Sequence, residues 1–272
     1  MRLIKSKTQI LLAIIFLIYV IWWGSFQSVV EQQGTSVQRF GATYGVVCLI
    51  GATVGFLAAK KWGGFRTVIG RSIMFYALGL LAQEAGQIIY TYYIYGAKIQ
   101  IPYPSWGDVA YFGSVLLYIY ATILLAKAVG VKFSWQRKRY KLQALLVFGP
   151  ILSGSYWVFL HGYQYNWHKP ITVLLDFGYP MGQAIYISLA VTAYILSRRI
   201  LGGVMRAGIL IVILGLVIQY ISDFTFLYQS SRGTWLTGKY NDLSYLIAYF
   251  VMSSAMIKFN LTYKELKDAA ET

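Results

Sequence analysis

Three stretches place an acid or amide three residues ahead of a tyrosine: Asp108 and Tyr111 in "WGDVAYF", Gln183 and Tyr186 in "GQAIY", Asp242 and Tyr245 in "NDLSY". On a helix, positions i and i+3 share a face, so each pair sets an oxygen acceptor beside a phenol. A second set of polar residues precedes them within apolar sequence: Gln83, Glu84 and Gln87, then Trp157 and His161, then Gln219, Ser222 and Asp223. Gln87, His161 and Asp223 stand 21, 22 and 19 residues before Asp108, Gln183 and Asp242. The chain therefore reads as a helical hairpin repeated three times. A fourth copy ending at Tyr44 in "GATY" lacks the polar member.

Grouped carboxylates under one mouth favour a cationic or amine-bearing ligand, or a site that switches by taking up a proton. They do not make an enzyme. There is no G-x-S-x-G, H-E-x-x-H, phosphate-binding glycine loop or Cys/His pair, and nothing sets a nucleophile beside the acids. One cysteine, Cys48, excludes an intrachain disulfide, and His161 and His168 are the only imidazoles, so no catalytic residue, metal or cofactor is expected. Both histidines are expected on the outer side of the bilayer, which excludes a haem held across it by ligands at two depths. Lys258 lies at the edge of the last run, too far from mid-membrane for a retinal Schiff base.

Helix capping also accounts for Asp108 and Asp242, because a Ser or Asp at a helix start satisfies free N–H groups and suits the positive end of the dipole. Capping leaves the tyrosines and the preceding polar residues unexplained. For Glu84, Gln87 and Asp223, a ligand site and a plain interhelical hydrogen bond both remain open; Gln219 and Ser222 are the candidate partners of Glu84.

The elements that must position these groups are membrane spans. The 272 residues are 58% hydrophobic and 12% charged, with a mean hydropathy of +0.56, and about a quarter charged is usual for soluble domains. Apolar runs of about 20 residues cross a bilayer as helices. Eight candidates fall at about 8–24, 41–59, 72–94, 107–126, 142–161, 177–197, 204–227 and 241–257. The expected fold is all-α: one transmembrane bundle over 1–258, built from hairpins, with a short cytoplasmic tail at 259–272. Trp22 and Trp23 stand where small residues precede a signal cleavage site, so the first run is expected to be a retained helix.

Cations set the orientation. Nineteen of the 24 Lys and Arg fall in one set of alternating segments, and Arg39, Lys98, Lys169, Arg232 and Lys239 in the other. That bias puts both termini in the cytoplasm and the Asp108 and Asp242 helix starts outside. The basic stretch "KFSWQRKRYK" reads as an anchor against anionic lipid, not as a nucleic-acid patch.

The stretch "YTYYIYGAKIQIPYPSWGDVAYF" resembles the multi-pass membrane sensor regions that precede some bacterial diguanylate cyclase and histidine kinase domains. "DFGYPMGQAIY" resembles that family's D-x-x-Y-P-x-x-D element, and "ISDFTFLY" with "GKYNDLSYLIAYF" its closing pair of spans. The resemblance covers roughly residues 70–257, with Gly107 in place of an alanine and Gln183 in place of the second aspartate. It implies a non-enzymatic sensor in the bacterial inner membrane. A small ligand would bind outside, among Glu84, Gln87, Asp108, Tyr111, Asp176, Gln183, Asp223, Asp242 and Tyr245, and a separate cytoplasmic output protein would receive the signal. A transporter or channel is the alternative. Against it, no paired broken helices are visible: Pro180 is the one late-span proline, and Gly79 and Gly86 lack one.

Overall fold

The computed structural model describes residues 6–27, 34–99, 101–128, 138–161, 163, 167–197 and 204–271. Of the cations used above, Arg2, Lys5, Lys132, Arg137, Arg198 and Arg199 lie outside these residues, as do the side chains of Lys138, Arg139 and Lys141. Among the described residues every regular element is helical: α1 (Lys7–Gln27), α2 (Thr35–Thr43), α3 (Val46–Lys61), α4 (Val68–Thr91), α5 (Trp106–Ala128), α6 (Lys138–Ser155), α7 (Pro170–Ser197), α8 (Arg206–Ser231) and α9 (Tyr240–Glu271). π-Helical turns at Tyr92–Gly96 and Tyr156–Leu160 extend α4 and α6.

Five segments are long and apolar enough to cross a membrane: Lys7–Gln27, Thr35–Lys61, Val68–Gly96, Trp106–Ala128 and Arg206–Ser230. The outer face of α1 supports the same conclusion. Leu11, Leu17, Ile18 and Ile21 are all more than half exposed, an apolar stripe that water would not tolerate and lipid does. The chain has the helices and exposed apolar surface of a multi-pass membrane protein.

Three boundaries differ from the sequence expectation. The second span begins at Thr35 and is interrupted at Tyr44 and Gly45, so it consists of α2 followed by α3. Helix α7 begins at Pro170 instead of 177, and α9 continues without a break to Glu271. The expected tail is thus the end of a helix.

Six helical elements close a ring in the order α3, α4, α5, α7, α8, α9 and back to α3. Helix α1 packs outside the ring on α9, and α6 outside it on α7. Stacking of Phe16 on Phe250 at 4.2 Å and a bond from Gln9 to Ser254 at 3.1 Å hold α1 in place.

Glycines set the spacing within the ring. A Cβ on Gly79 would run into the Tyr118 ring, and one on Gly86 into Tyr111. Between them Gln83 donates to Ser114 at 2.7 Å, and beyond them Gly107 admits Tyr90. Each step of three or four residues along α4 is matched by the same step back along α5, an antiparallel register that pairs a small residue with a large one. Helices α8 and α9 repeat the device: Gly208 meets Phe259, and Gly215 meets Met252. Small residues of this kind let helices approach closely where lipid supplies no hydrophobic drive to pack them.

Candidate ligand cavity

The C-terminal ends of α4 and α8 and the N-terminal ends of α5 and α9 meet at one end of the ring. Asp108 and Asp242 each stand in the first turn of their helix. Asp108 accepts from the Ser105 N–H at 2.7 Å and the Ser105 hydroxyl at 2.8 Å, while the Asp108 N–H reaches back to Ser105 Oγ at 3.4 Å. This is a reciprocal capping box. Asp242 likewise reaches back to the Gly238 N–H at 2.6 Å. Capping is therefore a real role of both acids, and both also line a cavity.

Behind them, α4 and α8 present equivalent acceptors. Gln87 Oε1 accepts from the Tyr111 hydroxyl at 3.1 Å, and its amide donates to the Gly41 carbonyl at the end of α2. Asp223 accepts from Tyr245 at 2.8 Å, Gln219 at 2.9 Å and Gln183 at 2.5 Å. One turn below Gln87, Gln83 accepts from Tyr249 of α9 at 3.1 Å. Gln87 of α4 and Asp223 of α8 are thus each tied to the tyrosine of the helix that follows.

The third repeat is shifted from the expected position. Gln183 lies thirteen residues inside α7, so it does not stand at a helix start, and its amide serves Asp223. The pair nearer the start of α7 is Asp176 and Tyr179. Tyr179 lines the cavity, as Tyr111 and Tyr245 do. Asp176 does not line it: its carboxylate accepts from Tyr103 at 2.6 Å and Tyr163 at 2.7 Å, clasping two loops. Burial, followed by the Asp176 charge, pushes the Tyr103 phenol well above its ordinary range, which keeps it a donor. The fourth copy also has a place, because Tyr44 lines the cavity and Gly41 stands where the acid would be.

Glu84 and His161 do not join the site. Glu84 is buried beside the interruption between α2 and α3, where a Cβ on Gly45 would strike its carboxylate. Its Oε2 has no hydrogen-bond partner, and neither Gln219 nor Ser222 serves it, since Gln219 donates to Asp223 and Ser222 to the Ile218 carbonyl. His161 is exposed and stacks on Trp157 at 5.1 Å, so it supplies no polar group to the cavity.

Six tyrosines line the chamber: Tyr44, Tyr90, Tyr111, Tyr179, Tyr245 and Tyr249. Sequence reasoning missed Tyr90, Tyr179 and Tyr249; the last sits four residues after Tyr245, a spacing that puts both on one face. Asp108, Asp223 and Asp242 share the wall, and no lining side chain is basic. The Tyr44 and Tyr179 side chains are at least nine-tenths buried, and their hydroxyls bond no other described residue. The chamber holds about 40 Å³, room for about three waters. It shares Tyr90, Ile94, Ile101, Phe226, Trp235 and Thr237 with a vestibule of about 580 Å³. The loop before α5 and the loop before α9 form that vestibule.

Among the described residues no three His, Cys, Asp or Glu side chains gather as a metal site. Comparison with protein-family models, with curated proteins and with solved structures gave no match. The chemistry of the cavity carries the functional reading.

Proposed function

We propose that the protein is an eight-span sensor or ligand-binding domain of the bacterial cytoplasmic membrane. Both termini face the cytoplasm, and the cavity opens outward. The charge distribution supports this orientation: Lys60, Lys61, Arg71, Lys127, Arg206 and Lys258 cluster at the end of the helices remote from Asp108 and Asp242. A cytoplasmic output protein would read the state of the basic end. The protein itself carries out no reaction.

The observation that carries this reading is convergence. Five of the six ring helices, α4, α5, α7, α8 and α9, together with α2 and the interruption before α3, send a residue into one chamber, so an occupant would touch most of the ring at once. Purified protein screened by thermal shift against small cations and amines tests the reading, with Asp242→Asn as comparison. The expected result is stabilisation that weakens in the variant; ligand shifts identical in both proteins would count against it.

One observation favours a carrier as the second reading. The interruption at Tyr44 and Gly45 faces the partnerless Glu84 oxygen, and interrupted helices beside buried acids suit alternating access. Flux into liposomes separates the two, since a sensor gives none.

A further inference from the structure

Resting on the reading of the cavity as a ligand site, the geometry points to its ligand class: an organic primary amine, bound with its ammonium group in the tyrosine chamber and its apolar or aromatic body in the vestibule.

Charge sets the head group. Three aspartates and no basic side chain line the chamber, so an anion is repelled and a neutral donor gains a hydrogen bond without the charge attraction that a cation adds. The ring faces of the tyrosines favour a cation as well. An inorganic ion fits less well. A hard cation takes six or more oxygens, whereas Asp223 already accepts three side-chain donors and Asp108 is held by Ser105 and Tyr90. What remains is sparse and directional: Asp242, which accepts one backbone N–H, and the Tyr44 and Tyr179 hydroxyls. Three N–H donors of a primary ammonium match such a set.

Volume sets the rest. A chamber of about 40 Å³ admits an ammonium and excludes a trimethylated head. The body must then extend into the vestibule, whose walls include Ile94, Ile99, Ile101, Phe226, Trp235 and Leu236. Trp235 and Phe226 meet edge to face at 5.6 Å, a surface suited to an aromatic ring. The vestibule's basic residue, Lys98, is exposed, away from the chamber.

Phenethylamine is the probe, compared with phenethyl alcohol, phenylacetate, N,N,N-trimethylphenethylammonium and ammonium chloride. Binding to the whole protein in lipid nanodiscs is read by thermal shift and by quenching of tryptophan fluorescence. The amine is expected to raise Tm in a concentration-dependent way, and the other four to bind at least about tenfold more weakly. Tyr44→Phe and Tyr179→Phe remove hydroxyls that bond no other described residue, so both should fold and weaken the amine several-fold. Asp242→Asn should weaken it by roughly tenfold. Absence of phenethylamine binding, equal binding of the alcohol, or an affinity unmoved in all three variants would overturn the inference. Amine binding without any cytoplasmic partner would leave it standing while the sensor reading falls. A shift from phenylacetate with none from the amine would overturn this ligand class but keep the cavity as a binding site.

Discussion

The Tyr245 hydroxyl donates to Asp223 at 2.8 Å, the counterpart in α8 and α9 of the 3.1 Å bond from Tyr111 to Gln87 in α4 and α5. The two bonds join the same positions of two hairpins but end on different acceptors, a carboxylate in one and an amide in the other. Removing the hydroxyl from each should therefore cost different amounts. Interhelical hydrogen bonds in membranes average about 0.6 kcal/mol, and bonds to charged groups run higher. Tyr245→Phe is expected to lower unfolding stability by about 1–2 kcal/mol and Tyr111→Phe by about 0.5 kcal/mol, measured by denaturant titration in mixed micelles. Equal costs would show that the carboxylate gains nothing special from its phenol.

Close approach of α4 and α5 depends on Gly79, Gly86 and Gly107. Gly86→Ala puts a Cβ 2.7 Å from the Tyr111 ring, and overpacking of this kind costs about 1–3 kcal/mol. Gly113, on α5, has nothing within 4 Å of its Cβ position. Gly113→Ala should be neutral or stabilising by about 0.5–1 kcal/mol, and thermal melts of the two variants check the contrast.

Ser105 caps α5 and holds Asp108 at the cavity wall. Ser105→Ala is expected to cost about 1 kcal/mol and to weaken ligand binding by freeing the Asp108 carboxylate. A stability loss with ligand affinity untouched would confine Asp108 to capping.

Asp176 clasps the loop carrying Tyr103 to Tyr163. Tyr103→Phe removes one arm of the clasp and should speed hydrogen exchange at 101–105 without altering exchange in mid-α5. The Tyr103 phenol sits above its ordinary range, so the clasp should not open as pH rises from 6 to about 9.

Glu84 keeps a buried oxygen without a partner, and an unpaired buried polar group is costly. Glu84→Met is expected to match or exceed the native Tm. If it also abolishes transport or signalling, the acid is retained for function at the expense of stability.

Much of this was legible in the sequence. The hydropathy runs found the helices, and the pairing of Gln87 with Asp108 and Tyr111, and of Asp223 with Asp242 and Tyr245, survives in the cavity. The third copy was misplaced for a physical reason. Asp176 and Tyr179 precede Gln183 and Tyr186 by seven residues, two helical turns, so both pairs share a face and only depth distinguishes them. Depth was misjudged because Asp176 interrupts the apolar run and "PITVLL" before it was assigned to a loop. The interruption of the second span at "TYGV" carries a glycine but no proline. Its meaning lies in Glu84, forty residues on, which no local pattern reveals.

Helix α9 begins at Tyr240, places Asp242 at the cavity and runs unbroken for 32 residues to Glu271, about 48 Å of rod. Its last two turns, Lys264–Glu271, are exposed. A rod pivoting near its middle carries an ångström of sideways movement at one end into an opposite ångström at the other, with no change of its own shape. On the proposed orientation, a displacement of Asp242 would swing a charged stub on the far side of the bilayer, a mechanical arm whose two ends never need to share a chemical contact.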